Sequence, residues 1–150
     1  MKRRTLLKTS LAASIVASTG LLIPGRVLAA YPKTAFQSDN ATSAMTEALG
    51  MSDYTESGDI KIKAPEIAEN GAVVPVQVTS SMSDIESISI VIGNNPTPLI
   101  ASFNLHGSEG FVSTRVKMAK TSDVLAVVKA GGKLHAAKQE VKVTIGGCGG

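Results

Sequence analysis

From Ile60 onward the chain alternates, and that alternation leaves it few ways to fold. Ile60 and Ile62 are separated by Lys61, Val74, Val76 and Val78 by Pro75 and Gln77, and Ile88, Ile90 and Ile92 by Ser89 and Val91. Leu99, Ala101, Phe103 and Leu105 repeat the pattern, as do Val112, Thr114, Val116 and Met118. A period of two sends successive side chains to opposite faces, so each segment reads as a half-buried β-strand. Turn residues punctuate the strands at Asn70-Gly71, from Gly93 to Pro96 and from His106 to Gly110. Two further runs, Asp123 to Ala130 and Lys133 to Ile145, are joined by Gly131-Gly132, a two-residue hairpin signal. About seven short strands at this spacing predict an all-β fold, an immunoglobulin-like antiparallel β-sandwich. Trp is absent and aromatic residues make up only 3%, so the core has to be built from Val, Ile, Leu and Ala. The Cys…Trp…Cys core of antibody domains is missing, and the architecture alone is implied.

Upstream of the strands the pattern turns helical once. After a polar leader from Tyr31 to Gln37, residues Asp39 to Leu49 predict one short helix. Asp39 or Asn40 caps it, Ala44, Met45, Ala48 and Leu49 share a face, and Gly50 suits its end.

The first 29 residues are different in kind. Lys2, Arg3 and Arg4 precede an apolar run from Leu11 to Ile23, and Val27-Leu28-Ala29 offers a small-residue cleavage site, the layout of an export signal. The run is too short and too rich in Ser, Thr and Gly to match the roughly 20 apolar residues of a membrane span. Arg3-Arg4-Thr5-Leu6-Leu7-Lys8 resembles the twin-arginine motif, which implies export of a folded protein. The chain thus divides into a signal peptide at 1–29, a β-sandwich domain at 30–145 and a terminal arm at 146–150. The signal holds five of the fifteen basic residues and none of the twelve acidic ones, so the formal charge of +3 becomes −2 on its removal. A mildly acidic mature protein argues against nucleic acid or a membrane surface as partner.

Chemistry concentrates at Gly146-Gly147-Cys148-Gly149-Gly150. Cys148 is the only cysteine, so an intramolecular disulfide is impossible, and the thiol is buried, paired with another molecule, or reactive. Burial is disfavoured because the flanking glycines bring no side chains to pack around the sulfur. Two glycines on each side leave little more than backbone, a shape that suits entry into a partner's cleft. No His, Lys or Arg adjoins Cys148 to lower its pKa, so activation has to come from the site it enters. The segment reads as a flexible arm of Gly146, Gly147, Gly149 and Gly150 carrying one sulfur handle. His106 and His135 are the only histidines; they have no ligand neighbours at metal-site spacing and no Ser/His/Asp set can be assembled around them. No metal site, no cofactor and no catalytic residue is predicted, and the protein is read as a carrier and not an enzyme.

With its arginine-pair signal, its β-sandwich and the terminal run Lys142-Val143-Thr144-Ile145-Gly146-Gly147-Cys148-Gly149-Gly150, the sequence resembles the SoxY family of sulfur-oxidation carrier proteins. The resemblance implies that thiosulfate is joined oxidatively to Cys148 by a haem-containing partner. A dimanganese hydrolase would then release sulfate, and a sulfane dehydrogenase, where the host has one, would oxidise the remaining sulfur. It also implies a heterodimer with a SoxZ-like chain and a periplasmic location. Two other readings stand beside this one: a structural sandwich subunit disulfide-linked through Cys148, and a ubiquitin-like carrier activated as a thiocarboxylate on Gly150.

Overall fold

Residues 32–144 are described in the computed structural model of the protein, and they stack in three layers. The segment read as an export signal, with Arg3 and Arg4, lies outside the described residues, as does the segment read as an arm, with Gly146, Gly147, Cys148, Gly149 and Gly150. Two helices, α1 (Lys33–Gln37) and α2 (Ala41–Leu49), lead into nine strands among the described residues. These are β1 (Tyr54–Glu56), β2 (Ile60–Lys63), β3 (Ile67–Ala68), β4 (Val74–Ser80), β5 (Ile85–Ile92), β6 (Leu99–Asn104), β7 (Phe111–Val116), β8 (Ser122–Ala130) and β9 (Lys133–Val143).

The larger sheet runs β1-β9-β8-β5-β6, with β3 also pairing β9, and the smaller runs β2-β4-β7. Hairpins β5–β6 and β8–β9 share one sheet while β4 and β7 form the other, which is the immunoglobulin-like division of strands. Ile88, Ile90 and Ile92 of β5 and Val124, Ala126 and Val128 of β8 meet Val74, Val76 and Val78 of β4 in the core between the sheets. Each such aliphatic side chain contributes roughly 1.5–3 kcal/mol when fully buried. The Gly131-Gly132 turn has φ of 56° and 73°, the doubly positive geometry of a type I′ turn, and it closes the β8–β9 register at Ala130 opposite Lys133.

Three expectations need correction. The segment read as a polar leader contains α1, where Ala35 is fully buried and Phe36 packs alongside it; five residues are too few to register as a helical period. The strands of the large sheet are not all half-buried. Ile88 through Ile92 are buried without interruption, because α1 and α2 cover the sheet's other side and bury Val91, Leu99, Val127, Leu134 and Ala136 beneath Ala35, Ala44, Met45 and Leu49. Seven strands become nine, and both additions pair with β9 in parallel. The predicted helix itself stands: Asn40 Oδ1 accepts from the Ser43 N–H at 3.0 Å as N-cap, and Gly50 ends it at φ 82°.

Candidate functional site

Strand β9 runs toward the cysteine, so the way its last residues are held decides where the arm starts. Up to Val141 it is paired with β8, whose first residue, Ser122, lies opposite. Beyond that point new partners take both sides of the strand. The Lys142 N–H donates to the Glu66 carbonyl at 2.9 Å and the Thr144 N–H to the Ala68 carbonyl at 3.2 Å, both on the β3 side. The Val143 N–H points the other way and donates to Thr121 Oγ1 at 3.0 Å. Each bond is worth about 0.5–1.5 kcal/mol net, and together they extend the ladder past the end of β8. Thr144, the last described residue, is therefore fixed on the sandwich, and Cys148 lies four residues further on.

Beside this root opens a cleft of about 630 Å³. Gly71, Met118 and Val143 line its apolar part, while Lys117, Lys120 and Thr121 bring the polar and charged groups. Its wall from Lys117 to Thr121 is braced by the Gly93-to-Pro96 turn. Asn95, only 9% exposed, donates from Nδ2 to the Lys117 carbonyl at 2.6 Å and accepts from the Ala119 N–H at 2.9 Å. Asn94 donates from Nδ2 to the Thr121 carbonyl at 2.8 Å. On the other side the Met118 N–H donates to the Gly71 carbonyl at 2.7 Å. Gly71 is required by packing: a Cβ there would run into the Met118 carbonyl oxygen and come within 2.9 Å of Val143 Cγ1.

The residues singled out in sequence fall in different places. His106 is exposed in the turn after β6, and His135 is half-buried on β9 between Thr55 and Val128, so the two do not meet. Among the described residues no group of three or more His, Cys, Asp or Glu could hold a metal ion, and no helix is long and apolar enough to cross a membrane. Met45 and Met118 are buried, Met51 and Met82 partly so, and of these only Met118 borders the cleft. The cleft itself is absent from the sequence reading. It joins residues 71–72, 94, 117–121 and 143–144, and no local pattern links them.

Fold and site together define an immunoglobulin-like sandwich whose last strand is clamped on both edges beside an open cleft. Residues 45–148 match the model of the family described as sulfur oxidation protein SoxY. The sulfur carrier protein SoxY from Chlorobium limicola f thiosulfatophilum has a solved structure that is 49% identical, covering 69% of this chain and 94% of that chain, with a TM-score of 0.62. Comparison with curated proteins gives no match. The chain belongs to the SoxY family of sulfur-oxidation proteins.

Proposed function

We propose that this protein is a periplasmic covalent carrier of sulfur intermediates, and that Cys148 is the attachment point. The observation that carries the reading is the family match, which runs through residue 148 and so takes in Gly146, Gly147 and Cys148. The carrier description of the 49% identical relative supports it, as does the clamped root of β9 beside the terminal glycine-rich segment.

In the loading step the Cys148 thiol loses its proton, and its sulfur bonds to the sulfane sulfur of thiosulfate. Two electrons leave, one at a time, through the haem-containing partner enzyme to its own electron acceptor, giving a cysteine S-thiosulfonate. Water then attacks the terminal sulfur in a hydrolase. Sulfate and two protons leave, the S–S bond to Cys148 is kept, and a persulfide anion remains. This chain contributes no catalytic group to either step. It turns successive encounters into delivery of one tethered group at high effective concentration. The glycines present few side chains to clash with different active sites. A SoxZ-like chain as heterodimer partner and folded export directed by Arg3 and Arg4 belong to the same proposal.

Intact-mass measurement tests the assignment. After incubation with thiosulfate and the oxidising partner, the protein gains the mass of one S–SO₃ group, and Cys148→Ser gains nothing. An unmodified wild type with an active partner refutes it. A constant, non-exchanging disulfide-linked heterodimer on non-reducing gels supports the structural-subunit reading instead.

A further inference from the structure

The outward face of the small sheet is basic, and its cations continue into the cleft beside the root of the arm, while Glu66 and Glu140 stand with Lys142 on the β3 side of that root. Register places Lys63, Gln77 and Ser113 in one row across β2, β4 and β7, Lys61, Thr79 and Phe111 in the next, and Pro75 beside Arg115. Lys61, Lys63 and Arg115 are exposed, and none of the outward positions on the three strands holds a carboxylate. The acidic residues nearest in sequence at one end, Asp59 and Glu109, precede β2 and β7 where Ile60 and Phe111 begin them. The opposite end of β7 leads directly into exposed Lys117 and Lys120, which line the cleft together with Val143 and Thr144, and the cleft lining has no carboxylate either. Asp59, two residues before Lys61, and Glu109, beside Thr79 and Phe111, stand at the Lys61 end, so the stretch free of carboxylates runs from Lys63 and Arg115 to the cleft.

The tether fixes who must meet this band. Four residues from Thr144 to Cys148 span at most about 14 Å. Any active site that takes up Cys148 must bring its surface against the end of the sandwich where β9 stops, which is the end where Lys117 and Lys120 stand. The small sheet is about 10 Å across from β2 to β7, so Arg115 and Lys63 lie within the footprint of a standard interface of roughly 800 Å² per partner.

We propose that the outer face of β2-β4-β7, through Lys61, Lys63 and Arg115, is the docking surface for an acidic patch on the enzymes that load and unload the arm. The inference rests on the carrier reading above. It assigns these residues to recognition and steering of the partner, not to chemistry at the sulfur. A shared docking face explains how one carrier serves several enzymes: each needs only negative charge around the mouth of its active site. Complementary charge of this kind raises association rates by about 10–10³-fold at low salt and fades as the Debye length shrinks.

The test compares wild type with the triple variant Lys61→Gln, Lys63→Gln, Arg115→Gln, using full-length exported protein, thiosulfate and the haem-containing oxidising partner. Loading of Cys148 is followed by intact mass at about 0.02 M and about 0.5 M salt, concentrations that bracket strong and weak screening. The proposal expects kcat/KM of the variant to fall about tenfold or more at low salt, mainly through KM, and the difference to shrink below about twofold at high salt. Alkylation of Cys148 by a small neutral reagent and the urea midpoint serve as controls and stay unchanged. Loading of the variant within twofold of wild type at low salt overturns the docking assignment while leaving the carrier reading intact. A variant that loads normally but loses affinity for anionic lipid vesicles also overturns it, because the face then serves a membrane. No adduct on wild type overturns the carrier reading itself and the docking proposal with it.

Discussion

Replacing Gly71 by Ala tests whether the root of the arm is held as tightly as its hydrogen bonds indicate. Gly71 sits in the cleft lining between Met118 and Val143, and its carbonyl accepts the Met118 N–H at 2.7 Å. A methyl group at this position collides with the Met118 backbone and reaches within 2.9 Å of Val143 Cγ1. Backbone is a poor place to absorb such a clash. Overpacking of this kind costs about 1–3 kcal/mol, and weakening the Met118 bond adds up to about 1 kcal/mol. The expected loss is therefore about 1–4 kcal/mol. With a urea m-value near 2 kcal/mol/M, the unfolding midpoint falls by about 0.5–2 M. Gly93→Ala is the matched control: it too lies in a turn, but nothing lies within 4 Å of its added Cβ, so it changes stability by less than about 1 kcal/mol. Equilibrium unfolding followed by far-UV circular dichroism reads both. A Gly71→Ala midpoint within about 0.3 M of wild type would refute the packing argument, because the Met118 carbonyl would then have room to move.

Two further substitutions separate the cleft wall from the helical layer. Asn95→Ala removes both bonds to the segment from Lys117 to Ala119 and leaves a buried acceptor and donor to find water, so stability falls by about 2–3 kcal/mol; Asn95→Asp, which keeps an acceptor for the Ala119 N–H, restores part of it. Asn40→Ala deletes the cap of α2 and costs about 1 kcal/mol in the same urea assay, with Asn40→Ser close to wild type.

How much of this was legible beforehand depended on whether the signal was local. The strands of the core announce themselves because Val74, Val76 and Val78, or Ile88, Ile90 and Ile92, alternate over enough residues to set a period. The hairpin at Gly131-Gly132 is legible because two adjacent glycines suit positive φ, which they adopt. Strands β1 and β3 are different. Tyr54–Glu56 is exposed throughout and Ile67–Ala68 has two residues, so neither carries a burial pattern; each exists because β9 has an edge to be completed. Yet β3 is what extends the ladder along Lys142 and Thr144. The asparagines of Gly93-Asn94-Asn95-Pro96 read as ordinary turn residues, and their role as braces of the Lys117-to-Thr121 wall appears only when segments about 25 residues apart meet. The basic face is likewise a product of register, since Lys61 and Arg115 are far apart in sequence and share a surface only through β4. Cys148, by contrast, is conspicuous in sequence and lies outside the described residues.

The central claim is that Cys148 carries the sulfur, and peptide-level mass spectrometry reads it most directly. The protein is purified without reductant from cells oxidising thiosulfate and cleaved, and the peptide containing Cys148 is fragmented. The account predicts a mixture of free thiol, persulfide and S-thiosulfonate, each localised to Cys148 and interconverting as thiosulfate is supplied or withdrawn. Cys148 found uniformly in a disulfide to another chain, or sulfur found as a thiocarboxylate on Gly150 with Cys148 unmodified, would contradict it.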